Sequence, residues 1–287
     1  MGSEVGSAAM ETVLENGIHT ESVTHVIHAL DCITLGVTSP DGAAQSYSEL
    51  LGRALGAERA PACMQLANVR LEFVAKASSA DEGLAGVAFA VDDLAKARHL
   101  LERRAMRVHL AGGDGGTGAG RLHLATDSTH GVPVSLVERQ SEAARSGPAL
   151  VAADADAAVS GLDHVVIRTP NPERAVALYA GRLGLSLRLD RSEPSWGARL
   201  LFFRCGDLVI EVAHDLKAGV GDAPDKLWGL SWRVPDIARA HARVKAAGID
   251  VSDMRTGRRP GTRLFTVRSH TAGVPTIMIG PDTPAAA

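Results

Sequence analysis

LDHVVIRTPNPERAVALYAGRLGL, residues 162–185, runs from a short apolar strand into a helix. Strand parity assigns the side chains to two faces, with Val165 and Ile167 beneath the helix and His164, Val166 and Arg168 on the opposite face. Asn171 is a natural N-cap, Pro172 suits the first helical position, and Val176, Tyr179 and Leu183 share one helical face. Gly184 can close the helix in a left-handed conformation. A histidine inside such a strand asks for an explanation.

The same plan recurs along the chain. LDCITLGVTSPDG, LAGVAFAVDDLAK, LDHVVIRTPNPER and LWGLSWRVPDIAR each start a strand, a turn with Asp, Asn or Pro, and a helix. Asp93 caps the second helix and Asp236 the fourth, where Ile237, Ala240 and Val244 form the buried stripe and Gly248 the stop. Closing strands follow in ANVRLEFVA, GVPVSLVER, GDLVIEVAH and GVPTIMIGP, so each copy is a βαβββ module. One copy leaves a sheet face bare, and neighbouring copies are expected to pair into a curved sheet around a cavity. The expected fold is therefore α+β, four βαβββ modules in two domains with curved mixed sheets. Residues 1–24 read as a flexible tail, 25–140 as the first two-module domain, 141–159 as an Ala-, Ser- and Asp-rich linker and 160–281 as the second domain.

Composition narrows the partners. The 287 residues are 45% hydrophobic and 22% charged, with net charge -3 and no basic stripe, which gives nucleic acid no electrostatic footing. No apolar run is long enough to span a membrane, and the N-terminus lacks the pattern of a signal peptide. Cys32, Cys63 and Cys205 form no CxxC pair, so a reducing cytoplasm is expected, with a small molecule as the partner and a homodimer as the favoured assembly. The glycine run 111–120 lacks the Lys-Ser/Thr ending of a phosphate loop and reads as a mobile connection.

The LDHVVI…NPERAVALYAGRLGL start, the GVP turns and the fourfold repeat resemble the vicinal oxygen chelate superfamily of glyoxalases, bleomycin-resistance proteins and extradiol dioxygenases. That resemblance implies a divalent metal, iron, manganese, zinc or nickel, held by side chains of the first and closing strands of paired modules. The implied positions are Cys32, Glu72, Gly86 and Ser135 in the first domain, and His164, Glu211, Gly229 and Ile277 in the second. Gly229 and Ile277 carry no metal donor, which leaves His164 and Glu211 where three protein ligands are usual. His214 and His270 are the nearest alternatives in sequence.

Two functions follow from the resemblance. One is a glyoxalase- or dioxygenase-like enzyme, of isomerase, lyase or ring-opening type, acting on a small, mostly apolar oxygenated compound in the C-terminal cavity. His164 and Glu211 would serve there as metal ligands or as an acid/base pair. The other is a metal-free protein that sequesters a drug or metabolite, as in the bleomycin-resistance branch. Arg168 and Arg233 have the parity of the cavity face and either pair with acids or await an anionic ligand. Ser231 shares their face, and Trp196 in the RSEPSWGARL loop is the aromatic candidate for ligand contact. Cys32 reads as a small core residue, because no histidine stands at the matching position to activate it.

Overall fold

The computed structural model describes residues 26–54, 63–110, 120–139 and 152–282. The expected N-terminal tail, most of the linker and all of the glycine run except Gly120 lie outside the described residues. The first half comprises β1 (Ala29–Val37), α1 (Pro40–Leu51), β2 (Cys63–Gln65), β3 (Arg70–Ala75), β4 (Gly83–Val91), α2 (Leu94–Arg103), β5 (Val108–Leu110), β6 (Arg121–Leu124) and β7 (Val134–Glu138). The second comprises β8 (Gly161–Arg168), α3 (Pro172–Val176), β9 (Ser186–Glu193), β10 (Ala198–Cys205), β11 (Leu208–Asp215), β12 (Lys226–Arg233), α4 (Ile237–Ala246), β13 (Arg255–Thr256), β14 (Thr262–Val267) and β15 (Thr276–Pro281). The second, third and fourth copies are βαβββ, and the first shows βαββ among the described residues.

Each pair of copies builds one mixed sheet. The orders are β2-β3-β1-β4-β7-β6-β5 and β13-β14-β15-β12-β8-β11-β10-β9, joined at the centre by the antiparallel pairs β1–β4 and β8–β12. From Val165 onward parity works as the sequence implies: Val165 and Ile167 of β8, with Ile210, Val212, Leu230, Trp232 and Met278, lie in the hydrophobic core beneath the helices. Seven inter-strand steps would spread a flat sheet over about 34 Å. Its edge hairpins nevertheless touch, since Arg258, past β13, lies 4.4 Å from the ring centre of Trp196, past β9. The second sheet is therefore rolled, with its helix-free face inside.

The helix starts follow the capping residues. Asn171 accepts from the Arg174 amide, Asp93 from Lys96, and Asp236 from Ala238 and Arg239. The third helix departs from its expected regular spacing. After Val176 it widens into a π turn, Ala177–Arg182, in which the Leu183 amide bonds back to the Leu178 carbonyl. The extra residue per turn buries Leu178 with Tyr179 and leaves Val176 half-buried.

The two halves hold each other by side-chain-to-backbone bonds. Arg243 of α4 donates to the Glu49 and Leu50 carbonyls at the end of α1, both at 2.7 Å, and Arg104 after α2 donates to the Arg182 carbonyl at 2.7 Å. Asn68 completes the link by acting like a strand residue: Nδ2 donates to the Leu162 carbonyl and Oδ1 accepts from the Leu162 amide, both at 2.9 Å. An Asn68→Ala variant would leave the buried Leu162 amide without its acceptor, and we expect a loss of about 1–3 kcal/mol in urea denaturation.

Candidate active site

The site begins with a defect in β8. Ser231 of β12 pairs with His164, but the next partner of β12, Trp232, pairs with Leu162, so Asp163 has no opposite residue. This is a β-bulge. It keeps Leu162 and Val165 in the core while leaving two residues between them, and Asp163 and His164 consequently emerge on the same helix-free face.

The result is a three-residue chain of polar groups. Asp163 Oδ1 lies 2.9 Å from His164 Nδ1, and His164 Nε2 lies 3.4 Å from Glu211 Oε2. Glu211 reaches the imidazole from β11, which pairs in parallel with β8 so that Val209 stands beside His164 and Glu211 beside Val166. The three side chains are only 15–18% exposed. Burial alone would raise the Asp163 carboxyl, but the His164 hydrogen bond and the positive charges of His164, Arg259 and Arg233 outweigh it and hold Asp163 below the usual carboxylate value. Asp163 is thus an anion near neutrality, and as acceptor from Nδ1–H it orients the ring with Nε2 toward Glu211.

Other expected site residues take varied places. Arg233 points to this cluster but is already committed: Nη2 donates to the Leu162 carbonyl at 3.0 Å, Nε lies 3.6 Å from Asp163 and Nη2 3.7 Å from Asp207. It braces the bulge. Ser231 is fully buried beside His164, and its hydroxyl has no partner among the described residues. Trp196, exposed, lies against Arg191 and Arg258 at the meeting sheet edges. Arg168 is exposed and lies over the ring of Trp228, 4.3 Å from its centre. Trp228 was not singled out by the sequence; a second bulge, between Leu227 and Gly229, brings it to this face.

The donors do not make the family metal site. His164 Nε2 and Glu211 are two, Asp163 binds the other imidazole nitrogen, and Ile277 offers none. At Gly229 the backbone has closed in, since a Cβ there would meet the Pro275 carbonyl oxygen at 2.7 Å. His214 is buried on the opposite face against the Thr169 carbonyl, and His270 sits by Glu49 of the first half. Among the described residues no group of three His, Cys, Asp or Glu side chains could hold a metal.

The first half repeats the plan with different chemistry. A bulge at Asp31 precedes Cys32 as the bulge at Asp163 precedes His164. Glu72, however, is clamped by Arg70 at 3.0 Å and Arg121 at 3.2 Å, and Arg70 also holds Asp31. Burial, reinforced by the Glu72 charge, drives the Cys32 thiol far above its ordinary value, so it is no nucleophile.

Two paired-module sheets with a polar cluster on the inner face define a four-module protein of the vicinal oxygen chelate type. The chain belongs to the Glyoxalase/Bleomycin resistance protein/Dioxygenase superfamily, whose model matches residues 163–266. An ethylmalonyl-CoA/methylmalonyl-CoA epimerase of Cereibacter sphaeroides is 30% identical over 100 residues, 32% of this chain and 75% of the epimerase. Two solved structures share the fold over nearly the whole chain. Catechol 2,3-dioxygenase has a TM-score of 0.64 at 18% identity, covering 91% of this chain and 90% of its own. The Mn(II)-bound glyoxalase from Novosphingobium aromaticivorans has 0.64 at 17% identity, covering 88% and 82%.

Two outcomes test this description. Because its folded value is depressed, ionised Asp163 stabilises the fold above the unfolded value of about 4, and this is lost as pH falls through the lower folded value. The difference in melting temperature between the protein and Asp163→Asn should therefore be largest near neutrality and shrink below about pH 4. Burial also pushes the Cys205 thiol up to about 12, so at pH 8 a disulfide reagent should titrate only the partly exposed Cys63 in native protein and all three cysteines after denaturation.

Proposed function

We propose that the inner face of the second sheet is the active site of an isomerase-type enzyme that moves a proton next to a carbonyl. The single observation that carries this reading is the contiguous Asp163–His164–Glu211 chain. Asp163 fixes the ring and balances the imidazolium when it forms. His164 Nε2 and Glu211 Oε2 face one another at 3.4 Å, so one of them can accept a proton from an acidic carbon while the other holds or returns one. Their partial burial lowers the local dielectric and strengthens each of these interactions. The epimerase relative supports the same reaction class, and the small floor of Val166, Gly229 and Ala213 suits a small, mostly apolar substrate.

The donor set of His164 and Glu211 does not fit a resident metal. A second reading has a specific observation in its favour: with Gly229 closed off by Pro275 and no donor at Ile277, the face would serve a protein that binds a small molecule without transforming it.

The deciding experiment is deuterium wash-in at the α-carbon of 2-methyl-branched acyl-CoA thioesters and 2-oxo acids, followed by mass spectrometry in D2O with EDTA present. The acid/base reading expects exchange that falls about 10²–10⁴-fold in His164→Ala and in Glu211→Gln. Exchange that survives both substitutions contradicts it. Tight binding of a compound with no exchange, and with affinity unchanged by His164→Ala, supports the binding-protein reading instead.

A further inference from the structure

Arg168 and Lys226 stand directly opposite one another on adjacent antiparallel strands. Like charges in that position repel and destabilise the pair, and neither has a carboxylate within ion-pair distance among the described residues. The nearby acids are committed elsewhere: buried Asp225 binds Arg174 and Thr169, and Asp215 accepts from the Lys217 amide. Several arginines of the second sheet have found an acid or a carbonyl, as Arg191, Arg199, Arg233 and Arg263 have, whereas Arg258 lies over Trp196 as Arg168 lies over Trp228. What sets Arg168 and Lys226 apart is that two cations are paired directly across neighbouring strands without an acid between them.

Trp228 adds direction. The bulge that turns it onto this face sets its ring 4.3 Å from the Arg168 guanidinium, and the residue is 39% exposed. The Arg168 guanidinium donates to no acceptor among the described residues, so its N–H groups are available to a planar or tetrahedral oxyanion through paired hydrogen bonds. Arg168 lies two residues along β8 from Val166, the partner of Glu211, and four from His164, which places the cationic pair farther along the same face than the proton-transfer group. The floor between them is small and apolar.

We propose that Arg168, Lys226 and Trp228 form an anion subsite that holds the carboxylate or phosphate end of the substrate, and so favour substrates that carry an oxyanion at the end remote from the reacting carbon. The assignment of a reacting carbon rests on the acid/base reading of His164 and Glu211; the subsite itself does not.

Titration calorimetry on the full chain with benzoate, phenyl phosphate and neutral benzamide tests the subsite without any turnover. We expect one or both anions to bind at least tenfold more tightly than benzamide, the better of the two identifying carboxylate or phosphate as the group recognised. Arg168→Gln and Lys226→Gln should each weaken that anion at least tenfold, Arg168→Lys should weaken it less than Arg168→Gln, and His164→Ala should leave it unchanged. Anions that bind no better than benzamide, or equally well to Arg168→Gln and Lys226→Gln variants with unaltered melting temperature, overturn the proposal. Anion binding that requires Arg168 in a protein that exchanges no α-proton would instead sustain the subsite and reject the acid/base reading.

Discussion

The site depends on one irregularity in strand pairing. Leu162 and Val165 are both fully buried, and a regular strand cannot place both in the core, because residues three apart face opposite sides. The bulge at Asp163 resolves the conflict by inserting one unpaired residue. Its consequence is chemical, since an acid and an imidazole adjacent in sequence now share a face and a hydrogen bond. Asn68 from the other half, and Arg233 beside it, pin the backbone at this point. Packing of the halves and geometry of the polar cluster are thus one problem, in which hydrogen bonds to Leu162 connect the two.

The two halves show what the same bulge does with different neighbours. At Cys32 a small thiol goes into a site where two arginines neutralise Glu72, and the polar groups satisfy one another. At His164 the carboxylates on either side are bridged by a titratable ring instead. Arginine stays charged throughout the working range and closes an acid off, whereas imidazole can pass a proton between its neighbours. The difference separates a structural ion cluster from a group capable of chemistry.

Much of this was legible in the sequence, and the failures have definite causes. Caps at Asn171, Asp93 and Asp236 and apolar stripes such as Ile237–Ala240–Val244 are local signals, so the modules and the α+β class could be read directly. His164 fell on the correct face because parity holds from Val165 onward. Asp163 was missed because period-two counting assigns it to the helix side, and a bulge is set by the register of a partner strand that sequence does not display. Trp228 was missed for the same reason. The role of Arg233 as a brace depends on Asp207 and Leu162, and the π turn after Val176 depends on packing around Tyr179; neither is encoded in spacing.

The central claim is that His164 is held between two carboxylates, one on each nitrogen. Long-range proton–nitrogen NMR of the histidine side chains tests it directly. The expected result is a His164 Nδ1 proton shifted downfield by its bond to Asp163 and lost from that position in Asp163→Asn, with Nε2 shifting selectively in Glu211→Gln. Imidazole nitrogen signals that are the same in the protein and in both variants would contradict it.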